Sequence, residues 1–401
     1  MIIKPMVRNN ICLNSHPAGC AENVRGQIEY TEKTLKKVKG QTPELALIIG
    51  CSNGYGLASR IAAAFGYRAA TVGVSYEKPP TENRTGTPGY YHNLAFDQEA
   101  AGSSLIYKTL DGDAFSNEMK KLSAEAARSA AAEMMILPKI DLIIYSLASP
   151  VRTDPETGVV YKSVIKPIGK SMNGKTVNIM DGSFQTAEME SASEEEINNT
   201  VKVMGGEDLA LWIEALNNEK LLSPKTRVIA YTYIGPEHTW SIYKNGTIGR
   251  AKDDLEKTVR AINQKYTEKG LIAGAWVSVN KALVTRSSAV IPVIPLYVSC
   301  LFRVMKEMNL HEGCIEQITR LYRDRLYKEK SCNSAEPETV PVDENGRIRM
   351  DDWEMRDDVQ ALVLKKMNAV TPKNILETTD LTGFRDDFLA AHGFGIDNVN
   401  N

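Results

Sequence analysis

The segment 45–59, LALIIGCSNGYGLAS, constrains the fold more than any other part of this chain. Its first five residues, Leu-Ala-Leu-Ile-Ile, form an unbroken apolar run. That is the habit of a parallel strand buried on both faces. Gly50, Gly54 and Gly56 follow in the pattern G-x-x-x-G-x-G, and residues 57–65 read as a helix. A strand, a glycine turn and a helix in that order present backbone N–H groups and a helix N-terminus to a pyrophosphate. Side chains at the three glycines would obstruct the turn, the approach of a phosphate and the helix–strand contact. Nucleotide binding is the expectation here; a plain structural turn is the alternative.

The same rhythm continues downstream. Strands are expected at 69–75, 104–110, 140–145, 226–233 and 271–279, with helices at about 115–134, 208–218, 248–266, 313–327 and 359–367. Six strands alternating with helices imply an α/β fold with a Rossmann-type doubly wound parallel sheet. Residues 1–43 read as an N-terminal arm with a helix within 19–37, and 78–103 as a polar segment bearing proline and glycine. Residues 150–205 break the rhythm with turns at Pro155-Glu156-Thr157-Gly158 and Asp181-Gly182, and read as a small inserted lobe over the site. A short strand is expected near 347–350. The whole is expected to be one enlarged domain.

Composition narrows the function. A net charge of −2 gives no reason to expect nucleic acid or an anionic membrane as partner. The longest apolar run, 289–302, is broken by Pro292 and Pro295 and is too short to span a bilayer. The N-terminus lacks a secretory signal. The six cysteines show no C-x-x-C pair, which fits free thiols in a reducing, cytoplasmic setting. The five histidines are scattered, and His311 with Cys314 supplies only two ligands, so no metal is expected.

Chemistry is expected at the carboxyl ends of the strands. Glu77 lies 21 residues after Gly56, near the separation at which an acid meets the adenosine ribose. A carboxylate there would repel a 2′-phosphate and favour NADH over NADPH. An exposed loop glutamate beside Lys78 fits the spacing equally well. Asp113 suits a helix N-cap or the adenine edge. Beyond the fifth strand, Tyr243 and Lys252 are nine steps apart, which on one helix would put them on opposite faces. They can serve one site only if the chain turns between them, and Gly246 and Gly249 permit that. An ammonium beside a phenol would favour phenolate character. The phenol could then hydrogen-bond to an oxygen that gains charge during hydride transfer. A surface tyrosine followed by a surface lysine is the alternative.

Several segments together resemble the single-chain trans-2-enoyl-CoA reductases, relatives of the V-type enoyl-acyl-carrier-protein reductases and distant members of the short-chain dehydrogenase/reductase superfamily. They are GCSNGYGLASR (50–60), GVSYEK (73–78), DGDAFS (111–116), YSLASPVRTDP (145–155), VMGGED (203–208), YTYIGPE (231–237), YKNGTIGRAK (243–252) and VNKALVTRSSAVIPVIPLY (279–297). The Tyr-x8-Lys spacing is characteristic, since ordinary superfamily members use Tyr-x3-Lys. The resemblance runs from MIIKP at the start to Gly393-Phe394.

It implies that Gly50, Cys51, Ser52, Asn53, Gly54 and Tyr55 hold the pyrophosphate of NADH. Tyr76, where some relatives have phenylalanine, and Glu77 would take the adenosine ribose and select NADH. Asp113 and Ala114 would meet the adenine, Leu147 and Ala148 the cofactor's ribose, and Leu283, Val284 and Thr285 the nicotinamide amide. Tyr233 would contact substrate, Tyr243 would be the catalytic acid, and Lys252 would bind cofactor and support Tyr243. The implied reaction is NADH-dependent reduction of the C2–C3 double bond of a trans-2-enoyl-CoA, with residues 286–330 lining the substrate. An acyl-carrier-protein thioester is the alternative substrate, to which Lys162, Lys166, Lys170 and Lys175 could offer a basic patch; they equally suit the phosphates of coenzyme A. Two further readings are a ketone reductase, against which an aromatic stands at Tyr233, and a non-catalytic NADH-binding protein. The chain is expected to act as a monomer, its insertions covering the superfamily's usual packing helices.

Overall fold

The strand β1 (Leu45–Ile49) is buried at every residue. Ala46 and Ile48 enter one core while Leu45, Leu47 and Ile49 enter another, as a period of two requires. A strand with no polar face must be covered by helices on both sides, and it is. The computed structural model describes residues 3–8, 10–38, 40–285, 291, 293–328, 339–396 and 399.

β1 is followed by β2 (Ala70–Ser75), β3 (Tyr107–Asp111), β4 (Leu142–Tyr145), β5 (Arg227–Thr232), β6 (Gly274–Val279) and β7 (Ile348–Arg349). All pair in parallel in the order β7-β6-β5-β4-β1-β2-β3. The order reverses between β1 and β4, and the crevice outside their carboxyl ends is where ligands bind in such sheets.

The helices α1 (Pro17–Thr34), α2 (Gly54–Ile61) and α3 (Pro88–Gly102) cover one face, while α4 (Asn117–Glu133) covers the other. In the insertion, hairpins Val151–Thr153/Val160–Lys162 and Met172–Val177/Phe184–Met189 precede α5 (Glu194–Met204), whose Ser193 and Glu196 form a reciprocal capping box. Next come α6 (Glu207–Asn218), with Trp212 fully buried, and α7 (Thr247–Thr267), both on the α4 face. The helix α8 (Ile294–Glu307) is buried along most of its length. It anchors a third apolar cluster with α10 (Asp357–Ala369) and α11 (Leu381–Ala390), while α9 (Cys314–Leu321) joins the α1 face.

The doubly wound sheet is as expected, and four details differ. A seventh strand, β7, extends the edge, because the short 347–350 segment docks on β6. The polar segment 78–103 contains α3, opened by Pro88 in its first turn, the position proline favours. β3 starts later than 104, since Ser104 holds φ +54 in the turn after α3, outside strand geometry. Asp113 is not the helix cap: Ser116 accepts from Met119 N, while Asp113 accepts from Phe115 N and closes the preceding turn. Cys20, Cys51, Cys300 and Cys314 are free thiols, and Cys332 lies outside the described residues, as do 286–290, 292, 329 and 330 of the expected substrate segment. Among the described residues, no helix is long and apolar enough to cross a membrane.

Candidate active site

The glycine turn leaves β1 at Gly50, whose φ of +89 is left-handed. A Cβ there would lie 2.4 Å from the carbonyl oxygen of Ser146, so only glycine lets β1 and β4 end side by side. The α2 N-terminus follows with no acidic residue in its first turn. It is an uncluttered anion site, and an open cradle for a pyrophosphate. Of the other residues expected at the dinucleotide, Glu77, Leu147 and Thr285 lie against this turn. Glu77, at the end of β2, accepts from Ser52 Oγ at 2.6 Å and Asn53 Nδ2 at 3.1 Å, so the acid is tied to the turn rather than waving in solvent. Its own N–H donates to Asp111 at the end of β3. Tyr76 is largely exposed beside it.

Ala114 lies one step further on, its carbonyl accepting from Trp212 Nε1 and from buried Lys120. Leu147 follows Ser146 at the end of β4, and its backbone nitrogen is 3.2 Å from where a Gly50 Cβ would fall; Ala148 is exposed. From the other side, Tyr55 donates to the carbonyl of Lys281 at 2.8 Å. The loop after β6 therefore carries Leu283, Val284 and Thr285 to the turn, with Thr285 Cγ2 3.4 Å from a Cβ at Gly54. These residues fit NADH as a group.

Tyr243 and Lys252 come from opposite sides of a bend. Residues 237–246 form a 3-10 turn and a series of tight turns before α7 begins at Thr247. The N–H groups of Gly246 and Gly249 both donate to the Tyr243 carbonyl, each at 3.1 Å. The Tyr243 ring meets the Tyr233 ring edge-on, with centroids 4.9 Å apart. Its hydroxyl bonds to none of the described residues, and no hydrogen bond joins it to Lys252. Lys252 instead donates to the carbonyl of Tyr231 in β5, at 3.1 Å.

Electrostatics corrects one expectation. The sequence suggested that an ammonium would give Tyr243 phenolate character. Burial pushes the Tyr243 phenol above its ordinary value, and the same burial pulls the Lys252 ammonium down to about 8. Tyr243 is therefore a neutral O–H donor at physiological pH.

Three side chains that the sequence did not single out, Glu354, Tyr297 and Lys281, complete the site. Glu354, between β7 and α10, is fully buried. It accepts from Tyr233 Oη at 3.0 Å, Tyr297 Oη at 2.6 Å and Ala282 N at 2.7 Å. Desolvation raises its carboxyl. Lys281 is buried over the Phe302 ring, donates to the carbonyls of Ala282 and Glu312, and is pulled down by burial to about 8. No local pattern marks any of them: each is defined by partners distant in the chain. Among the described residues, no cluster of His, Cys, Asp or Glu is arranged to hold a metal ion. In the insertion, Lys162, Lys170 and Lys175 are exposed, but Lys166 is engaged by Glu196 at 2.6 Å.

Comparison with known proteins agrees with this geometry. Residues 84–327 match the family model described as the trans-2-enoyl-CoA reductase catalytic region, and residues 2–82 the NAD(P)H binding domain of trans-2-enoyl-CoA reductase. Residues 342–401 match one described as an enoyl reductase FAD binding domain. The described part of that segment does not fit a flavin dinucleotide. It has no glycine-rich strand-to-helix turn, and Asp357 and Asp358 occupy the first turn of α10, where they would repel a pyrophosphate.

Over its whole length the chain is 54% identical to trans-2-enoyl-CoA reductase [NADH] of Treponema denticola, covering 97% of that protein. It is 52% identical to enoyl-[acyl-carrier-protein] reductase [NADH] of Flavobacterium johnsoniae, covering 99% of this chain and 96% of that one. Among solved structures, the Treponema denticola enzyme in complex with NAD superposes with a TM-score of 0.92 at 54% identity, over 100% of this chain and 97% of the other. The Clostridium acetobutulicum trans-2-enoyl-CoA reductase in complex with NADH superposes at 0.93 with 42% identity, over 100% and 96%.

Proposed function

The chain belongs to the trans-2-enoyl-CoA reductase family, and from that premise we propose that it uses NADH to reduce the C2–C3 double bond of a trans-2-enoyl-CoA, with Tyr243 as the acid. The observation that carries this is the Tyr243 hydroxyl: a neutral donor, bonded to none of the described residues, beside Tyr233 on the bend before α7. A half-buried donor left without a partner among the described residues suits an oxygen that arrives with the substrate.

When bound, NADH supplies the hydride that reaches the β-carbon. The electron pair of the C2–C3 bond moves toward the thioester, and its carbonyl oxygen gains negative charge. Tyr243 donates a hydrogen bond to that oxygen, and Tyr233 borders the same space. Lys252, held at the Tyr231 carbonyl, holds the ribose next to the nicotinamide. Protonation of the α-carbon, by Tyr243 or by a water it orients, completes the saturated acyl thioester. Gly50, Cys51, Ser52, Asn53, Gly54 and Tyr55 hold the pyrophosphate, Asp113 and Ala114 the adenine end, Leu147 and Ala148 the cofactor ribose, and Leu283, Val284 and Thr285 the nicotinamide amide. Tyr76 and Glu77 take the adenosine ribose. Glu77's placement among Ser52, Asn53 and the β3 end supports selection against a 2′-phosphate. The buried α8 supplies apolar wall for the acyl chain.

The carrier-protein thioester is the second reading, supported by relatives that carry that name. The engagement of Lys166 by Glu196 leaves Lys162, Lys170 and Lys175 for either an acidic carrier protein or the phosphates of coenzyme A, and the preference for coenzyme A follows the relative with the higher identity. The insertion's α5 packs on α7 and covers part of it within the chain, which supports a monomer. The free thiols suit a cytoplasmic setting. Loss of NADH absorbance with crotonyl-CoA, compared with crotonyl-carrier protein and repeated with NADPH, tests the reading. Turnover of the coenzyme A thioester with NADH is the expected result; NADH binding without oxidation of any enoyl thioester would overturn it.

A further inference from the structure

We propose that Glu354 is a positioning residue that fixes the Tyr233 ring against Tyr243 and, through its second oxygen, pins the loop that leads to Leu283, Val284 and Thr285. The inference rests on the reading of Tyr233 as a substrate contact. It also gives the C-terminal segment a part in the reductase site rather than in holding a flavin.

The carboxylate is fully buried and joins four elements. One oxygen takes two phenols: Tyr233 from the end of β5 and Tyr297 from α8. The other takes the Ala282 N–H from the loop after β6. Glu354 itself is held by its place just after β7, and Gln360 Nε2 from α10 closes on both the Glu354 carbonyl and the Tyr297 hydroxyl. A buried carboxylate is a costly way merely to fill space, and apolar packing would serve at least as well. Here it aims a ring. With its hydroxyl held by Glu354, Tyr233 cannot swing about its χ1 axis, and its ring stands at 79° to the Tyr243 ring with centroids 4.9 Å apart. The Tyr243 hydroxyl has no hydrogen bond among the described residues, so that ring contact is a main restraint on where it points.

Glutamine at this position keeps the volume and changes the donor pattern. It offers one acceptor oxygen and one N–H₂ donor, where glutamate offers acceptors only. With the amide oxygen facing Ala282 N–H, the N–H₂ faces two phenols that were donating, and these must turn their protons elsewhere. Glu354→Gln therefore turns both phenol bonds round, each phenol accepting an amide N–H while its own proton loses its acceptor, which loosens the hold on Tyr233 while keeping the loop.

The experiment is a double-mutant cycle of E354Q and Y233F, read in steady-state kinetics with crotonyl-CoA and in NADH binding by fluorescence. For E354Q, kcat is expected to fall about 10-fold or more while NADH affinity stays within about 2-fold, since sub-ångström misplacement acts on rate. In the Y233F background the same change should cost less than about 3-fold, because coupled residues are not additive. Wild-type kcat in folded E354Q, or an equal loss in both backgrounds, overturns the clamp and leaves the Tyr233 reading standing. Wild-type kcat in Y233F overturns both. If E354Q does not fold, E354D takes its place in the cycle: it keeps both acceptors but withdraws by one methylene, and the same criterion of coupling to Tyr233 applies.

Discussion

Gly249→Ala tests whether the bend puts Tyr243 where it must be. An alanine Cβ at 249 would fall 1.8 Å from the carbonyl oxygen of Lys244, 2.4 Å from its carbonyl carbon and 2.7 Å from the oxygen of Tyr243. Ordinary contact begins near 3.4 Å, so the closest pair must separate by roughly 1.6 Å. All three atoms are backbone, and no rotamer change can absorb the overlap. The start of α7 is tethered, with Thr247 N bonded to Lys166 O at 3.0 Å and Lys252 bonded to β5. The side that yields is the turn carrying Tyr243. Overpacking of this kind costs about 1–3 kcal/mol of stability. A misplacement of about 1 Å costs on the order of 10²-fold in rate. The assay is kcat with crotonyl-CoA at saturating NADH, with folding followed by circular dichroism and NADH affinity by fluorescence. A folded G249A variant with kcat down ~10²-fold and NADH affinity within ~3-fold fits the geometry. A folded variant turning over at the wild-type rate would refute the reasoning, because Tyr243 would then not depend on the bend.

Two other perturbations address the cofactor. Glu77→Ala removes the acid at the ribose end and should raise kcat/KM for NADPH relative to NADH by about 10-fold or more, as loss of like-charge repulsion predicts; an unchanged ratio removes Glu77 from the site. Lys252 sits at about 8 when folded, so its ammonium is lost as pH rises through that value. kcat/KM for NADH should accordingly fall above pH 8, and the K252M variant should lack that limb. Stability moves the other way: between about 8 and ~10.4 the unfolded chain keeps a proton that the folded one has released, so Lys252 makes Tm rise with pH in that window. A falling activity limb that survives in K252M would assign it to another group, such as Lys281.

The sheet was legible because its code is local. Five apolar residues ending at a glycine turn read as a strand buried on both faces, and the same logic located five of its neighbours. The turn between Tyr243 and Lys252 was legible because nine steps of helix cannot put both on one side, and the Gly249 clash is the structural counterpart of that argument. The charge state of Tyr243 was not legible. Proximity in sequence suggested a cation beside it, whereas Lys252 bonds to the Tyr231 carbonyl and burial dominates both groups. The helix α3 was obscured by its polar, glycine-bearing sequence, although Pro88 marks its start. Glu354 could not have been found by pattern at all. It lies 121 residues from Tyr233 and 57 from Tyr297, and nothing near it in sequence hints at three converging donors.

The most direct measurement is single-turnover reduction of crotonyl-CoA by Tyr243→Phe with NADH prebound. Because the Tyr243 hydroxyl bonds to none of the described residues, its removal should leave Tm and NADH affinity at wild-type values. Without the donor to the thioester oxygen, the rate of reduction should fall ~10²–10³-fold. A phenylalanine variant that reduces crotonyl-CoA at the wild-type rate would contradict the role given to this phenol.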